Sequence, residues 1–258
     1  MTNLKIKSNE LSDLSPLVNL TTRYLNLRSN QISDISTLVE NTGISGVIEL
    51  NDNPLSNRAL STHIPALEAR GIKVEYDMPQ GVVLFKDANL ERAIRDALGI
   101  PTQLLNKKDL EKLTALDVRT NRYSEPSGKI TDLAGLEYCT GLIKLVLLQN
   151  KIRDVNPLAS LTNLKYLNLH DNQISDISPL AHLVSLVHLD LNANQVTDLS
   201  GLAKLTNLAY LYLNDNQLVS TVGLINLKKL KILYLSNNQV ADISPLFNLT
   251  NLTQLYIC

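Results

Sequence analysis

The stretch Leu164-x-x-Leu167-x-Leu169-x-x-Asn172-x-Ile174 recurs through the C-terminal half of the chain. Its first leucine returns at Leu142, Leu164, Leu186, Leu208, Leu230 and Leu252, 22 residues apart each time. A fixed period held over five intervals marks a solenoid, in which each repeat buries its apolar face only by stacking on its neighbours. Within one repeat, Leu167-x-Leu169 has the two-residue alternation of a strand, with both leucines inward and Asn168 outward. Asn172 stands where the chain leaves that strand, and its amide can satisfy backbone groups that the bend leaves unpaired. Asp176 or Ser178 then caps a short turn, and Pro179 takes a first position that needs no N–H. The coil at Leu208 departs from this: Thr221 replaces an isoleucine and Ser220 the aspartate. A locally altered turn is expected there.

Working outward from the repeats, Asn9, Asn30 and Asn53 mark a second, shorter array with spacings of 21 and 23 residues. Residues 57–70 read as a helix with Leu60, Ile64 and Leu67 on one face, a break at Pro65 and an end at Gly71. Ile72 to Tyr76 alternate as a closing strand, so residues 1–77 form an array with its own C-terminal helix–strand cap. Residues 78–81 (Met-Pro-Gln-Gly) are the linker. Residues 82–141 hold a helical cap over Asp87–Gly99, with Leu90, Ile94, Ala97 and Leu98 as its apolar stripe. They also hold a first coil at Leu113 to Asn121 and an inserted loop at 123–129. The main array is 142–258.

The 22-residue pattern carries the leucine-rich repeat signature. Caps and coils together resemble bacterial leucine-rich repeat proteins of the internalin-like type, in which a helical cap precedes coils bearing an Asp-Ile-Ser-Pro-Leu turn, seen here at Asp176–Leu180 and Asp242–Leu246. Asn53-Pro54-Leu55 and His63 through Gly71 also look like a C-terminal flank of such proteins. The resemblance implies an α/β solenoid, a right-handed superhelix or horseshoe with short parallel strands on its concave face, 3-10 turns on its convex face and helical caps. It implies a protein-binding role, and a bacterial surface or secreted location, although no signal peptide or anchor motif is read in the chain.

Composition narrows the function further. A formal net charge of −1 gives no electrostatic case for nucleic acid, and no apolar run is long enough to insert in a membrane. Lys228, Lys229 and Lys231 read as a solvated edge. Two cysteines make no disulfide framework; Cys139 occupies a column of leucines (Leu161, Leu183, Leu205) and reads as a buried thiol. The Asn-x-Thr sequons at Asn19, Asn248 and Asn251 are by-products of the repeat.

The outward strand positions carry the informative residues. Between the strand leucines stand Val146, Asn168, Asp190, Tyr212, Tyr234 and Tyr256, and two residues earlier Lys144, Tyr166, His188, Tyr210, Ile232 and Gln254. Three tyrosines in consecutive coils are expected to stack as a ladder at roughly 4.8 Å. Tyrosine also serves strands for its packing alone, but a patch of this extent favours a binding surface. The partner-binding candidates are therefore Tyr166, His188, Asp190, Tyr210, Tyr212, Tyr234 and Tyr256. His170, His188 and Asp190 form a conceivable metal or proton-transfer group, set aside because their spacing matches no known motif. No phosphate loop, nucleophile elbow or paired-cysteine site is present. The expectation is a non-enzymatic protein–protein interaction module without cofactor. The alternatives are a structural spacer or assembly segment, self-associating through uncapped ends, and a carbohydrate-binding adhesin.

Overall fold

The computed structural model describes residues 2–119 and 128–257. Asn121 and most of the insertion at 123–129 lie outside the described residues. The chain divides into two compact units, Met1–Leu84 with Thr102–Asn106, and Phe85–Pro101 with Lys107–Cys258. Residues 102–106 belong to the first because Val83 N–H donates to Leu105 O at 2.9 Å, next to a bridge between Val82 and Asn106.

In the first unit, strands β1 (Asn3–Lys5), β2 (Thr22–Asn26), β3 (Ile44–Glu49) and β4 (Lys73–Glu75) form a parallel sheet in chain order. A short helix α1 (Ser36–Glu40) lies between β2 and β3. After β3 the chain makes a π-helical turn, Ala59–His63, that runs into α2 (Ile64–Ala69). Pro65 is in the first turn of α2, where its missing N–H costs nothing. Leu60, Ile64 and Leu67 are buried, as their spacing predicts.

The second unit opens with α3 (Ala88–Leu98), capped by Asp87 and ended by Gly99 in the left-handed conformation. Asp87 Oδ1 accepts from Asn89 and Leu90 N–H, while its Oδ2 accepts from Thr131 N–H at 2.8 Å, fixing the helix to the first coil. Its buried face differs from the expected stripe: Leu90 and Ile94 are buried, but Ala97 is exposed and Arg95 lies inward. Arg95 is held there by Glu91 Oε1 at 2.8 Å and Ile100 O at 3.1 Å, so a paired guanidinium widens the buried face on the side away from Ala97. A helical turn α4 (Lys107–Leu110) precedes the strands β5 (Ala115–Asp117), β6 (Lys144–Val146), β7 (Tyr166–Asn168), β8 (His188–Asp190), β9 (Tyr210–Tyr212), β10 (Ile232–Tyr234) and β11 (Gln254–Tyr256). These form one parallel sheet in sequence order, and 3-10 turns such as Ser178–His182 line the opposite side. This is the leucine-rich repeat solenoid. Leu164, Leu167, Leu169 and Ile174 are fully buried, as are their counterparts in the neighbouring coils. Cys139 is free and buried in the leucine column, and burial pushes its thiol up to about 12.

The asparagines do more than close their own bend. Asn194 Nδ2 donates to Leu191 O in its own coil and to Leu169 O in the coil before, and its Oδ1 accepts from Ile174 N–H, also in the coil before. Asn150, Asn172, Asn216 and Asn238 repeat this arrangement, as do Asn30 and Asn53 in the first unit. The residue immediately before each asparagine has a left-handed backbone, with φ between 53° and 61° at Ser8, Ser29, Asp52, Gln149, Asp171, Ala193, Asp215 and Asn237. The turn after Thr221 is a correction. Its φ of −105° and ψ of 8° match those of Ile177 (−111°, 10°), so the backbone is unaltered. Thr221 Oγ1 donates to Asp242 O, and Ser220 Oγ accepts from Val222 N–H, replacing the bond that Asp176 accepts from Ser178 N–H.

Two outcomes follow in chemical denaturation. Asn194→Ala strands two carbonyls and an N–H in the interior and loses about 3 kcal/mol, while Asn9→Ala, at an exposed edge position, changes stability by less than about 0.5 kcal/mol. Ala193→Asn relieves an alanine held at φ 53° and gains about 0.5 to 1 kcal/mol.

Candidate partner-binding face

The pairing of the second sheet places the outward residues of successive coils side by side. Lys144, Tyr166, His188, Tyr210, Ile232 and Gln254 are consecutive Cα partners along one row. Val146, Asn168, Asp190, Tyr212, Tyr234 and Tyr256 form the next. All seven residues singled out in the sequence therefore lie on one strand face. Tyr166, His188, Asp190, Tyr210, Tyr212 and Tyr234 are half-buried, and Tyr256 is 47% exposed.

The rings do not stack uniformly. Tyr166 and His188 lie face to face, with centroids 4.2 Å apart and planes 12° apart. His188 also reaches Tyr212, at 5.2 Å and 41°. Tyr212 and Tyr234 meet edge to face at 5.0 Å and 73°, and Tyr234 and Tyr256 do so at 4.4 Å and 62°. The expected parallel ladder is thus corrected. Tyrosine rings repel face on through their like quadrupoles and turn to present edges. At the start of the first row, Lys144 Nζ sits 5.4 Å from the Tyr166 ring centroid, a cation–π contact the sequence reading passed over. The signal was the lysine one period before the tyrosine.

Polar bonds run beside the rings. Asp190 Oδ1 accepts from Asn192 N–H at 3.0 Å, and its Oδ2 accepts from Asn168 Nδ2 at 3.2 Å. Asn192 Oδ1 accepts from Asn214 N–H, and Asn214 Oδ1 from Ser236 N–H. Burial raises the Asp190 carboxyl above its ordinary value of 3.8, outweighing those bonds and the influence of His170. Burial also lowers His188 and raises Tyr212. At Asp190, His188 and Tyr212 burial thus disfavours the charged form. Among the described residues no group of three or more histidine, cysteine, aspartate or glutamate side chains is placed to hold a metal. No helix among them is long and apolar enough to cross a membrane.

The first unit's strand face is organised differently. Glu49, at the position equivalent to Asp190, accepts from Tyr24 Oη at 2.6 Å and Asn26 Nδ2 at 2.7 Å and lies 3.6 Å from Arg28 Nη1. Lys73 pairs with Glu75 at 2.6 Å.

Residues 140–182, 162–204, 184–226 and 228–258 match the family described as leucine-rich repeats, two copies. No curated protein matches the chain. The chain is similar to an internalin (inlF) from Listeria monocytogenes str. 4b F2365, with 34% identity and a TM-score of 0.54, over 67% of this chain and 56% of that one. The match thus takes in little more than half of that internalin. An internalin C2 (inlC2) from the same strain is 31% identical, with a TM-score of 0.48, over 67% of this chain and 94% of that one.

Because folding raises the Asp190 carboxyl, its ionisation opposes the folded state. The cost is absent below the ordinary value of 3.8 and grows as pH rises through the raised value. Thermal melts of Asp190→Asn against the parent should therefore show equal midpoints in strong acid and a higher midpoint for the variant at neutral pH.

Proposed function

We propose that this chain, which belongs to the leucine-rich repeat family and is internalin-like within it, is a non-enzymatic recognition module whose second unit binds a protein on its strand face. The family mediates protein–protein interaction in general; the face and its residues are the specific part of the proposal. The observation that carries it is the aromatic strip Tyr166–His188–Tyr212–Tyr234–Tyr256, joined ring to ring within 5.2 Å. Rigid amphipathic rings give large contact area at small entropic cost, and their hydroxyls retain bonds to water or to a partner. Among the described residues the turn face offers no comparable strip, since its regular positions hold aspartate, serine and asparagine that bond their own backbone. A bacterial cell-surface or secreted setting accords with the internalin likeness.

A photo-crosslinking residue at position 234, with one at Lys204 as control, tests the placement in the native host. Capture of one discrete protein from position 234 alone is the expected result. For that complex, Tyr234→Ala should weaken binding by about 2 kcal/mol. Unchanged affinity after joint substitution of Tyr212, Tyr234 and Tyr256 by alanine would sink the assignment.

One observation favours a second reading, assembly between copies. Phe247, Val222 and Val219 on the turn side are 75%, 61% and 58% exposed, more apolar surface than a lone module needs. Concentration-dependent association in sedimentation that disappears in Phe247→Ser with Val222→Ser would support it, and a monomer at all concentrations would remove it.

A further inference from the structure

Asp190 is a half-buried carboxylate bonded only to neutral donors, Asn192 N–H and Asn168 Nδ2. Among the described residues no lysine or arginine pairs with it. Its Cα partner on one side is Tyr212, whose ring lies 5.0 Å from Tyr234 and 5.2 Å from His188. On the other side is Asn168. A carboxylate is thus set at the edge of a group of electron-rich rings and lacks a cation.

The first unit contains the same arrangement completed. Glu49 stands between Ile48 and Leu50 as Asp190 stands between Leu189 and Leu191. It takes a tyrosine hydroxyl, an asparagine amide and the guanidinium of Arg28, and its side chain is 14% exposed. Arg28 occupies the outward position two residues beyond Asn26 in the preceding coil; the residue at that position beside Asp190 is His170. No guanidinium or ammonium among the described residues of the second unit pairs with Asp190 as Arg28 pairs with Glu49, so the place of the internal guanidinium is left to something external.

We propose that Asp190 and the faces of Tyr212 and Tyr234 form a socket for an arginine side chain of the protein partner. The guanidinium bonds the carboxylate through its fork while its plane lies over a tyrosine ring, a combination that lysine and neutral side chains do not reproduce. The charge complementarity is local. The socket holds one carboxylate with no lysine or arginine among the described residues paired to it, so one guanidinium matches it charge for charge. The inference rests on the strand face being a binding surface and adds to it the chemistry of the residue that enters.

The test uses the full chain and two pentapeptides, acetyl-Gly-Gly-Arg-Gly-Gly-amide and its citrulline counterpart, which keeps the shape and loses the charge. Binding is followed by two-dimensional amide NMR. The arginine peptide should give saturable shifts, in the millimolar range, centred on His188, Asp190, Asn192 and Tyr212. The citrulline peptide, and the arginine peptide on Asp190→Asn, should bind about tenfold more weakly or not at all. Asparagine already fills the same position at Asn168, and an unchanged spectrum away from the site verifies the fold of the variant. Tyr212→Leu, which keeps the carboxylate, should also weaken binding. Equal binding of the two peptides, indifference to Asp190→Asn, shifts centred elsewhere, or no saturable shift at all would each overturn the socket. If position 234 still captures a partner when the socket fails, the recognition face stands without it; if neither peptide nor partner binds, both fall.

Discussion

The solenoid depends on one side-chain amide per coil. The asparagine at the end of each strand lies where two consecutive turns of chain pass closest, and it bonds both. Leucines supply the larger share of the free energy, since each buried side chain contributes about 1.5 to 3 kcal/mol, but leucine packing is tolerant of slippage and cannot fix a register. The amide is directional. With Oδ1 accepting from the coil before and Nδ2 donating to carbonyls of both, it allows one stagger, and the strands of the sheet inherit that stagger rung after rung. The left-handed residue preceding it aims the amide inward, which is why an alanine there, Ala193, keeps the same φ as the aspartates above and below.

The two strand faces show how the same scaffold serves opposite ends. In the first unit a carboxylate at the outward position is surrounded by a hydroxyl, an amide and a guanidinium of its own chain, and that part of the face is internally satisfied. In the second the equivalent carboxylate is held by neutral donors against its tendency to pick up a proton, beside rings that tilt to meet each other. Once ionised, such a carboxylate lowers the stability of the free molecule.

Much of this was legible in the sequence because repetition multiplies weak signals. The strand leucines, the outward rows and the place of the asparagines follow from counting in steps of 22, and the rows recur as Cα partners across the sheet. What escaped were features that need three dimensions. Arg95 inside α3 is invisible to a helical stripe, because its burial depends on Glu91 and a carbonyl beyond the helix end. The unaltered turn at Thr221 was misjudged because a hydroxyl replacing an isoleucine looks disruptive until its acceptor, Asp242 O, comes into view. The tilt of the tyrosines is set by ring electrostatics, which the strand spacing alone does not express. The left-handed residue was hidden by its variety, since serine, aspartate, glutamine, alanine and asparagine all occupy it.

Because each outward residue has its lateral neighbour one period away in the chain, the strand face is a two-dimensional surface written as a one-dimensional text. Unequal recombination that duplicates or removes a whole coil would insert or delete one line of that text and leave the others legible, lengthening the face by about 4.8 Å while every asparagine still finds a carbonyl behind it. A change of length is neutral only where a turn absorbs it, as between Asn30 and Asn53, 23 residues apart, or between the paired Leu116 and Leu145, 29 apart; within a strand it flips the outward residues to the core. Inheritance in this molecule is therefore granular: outward rows come and go as intact coils, and point substitution edits the letters within them.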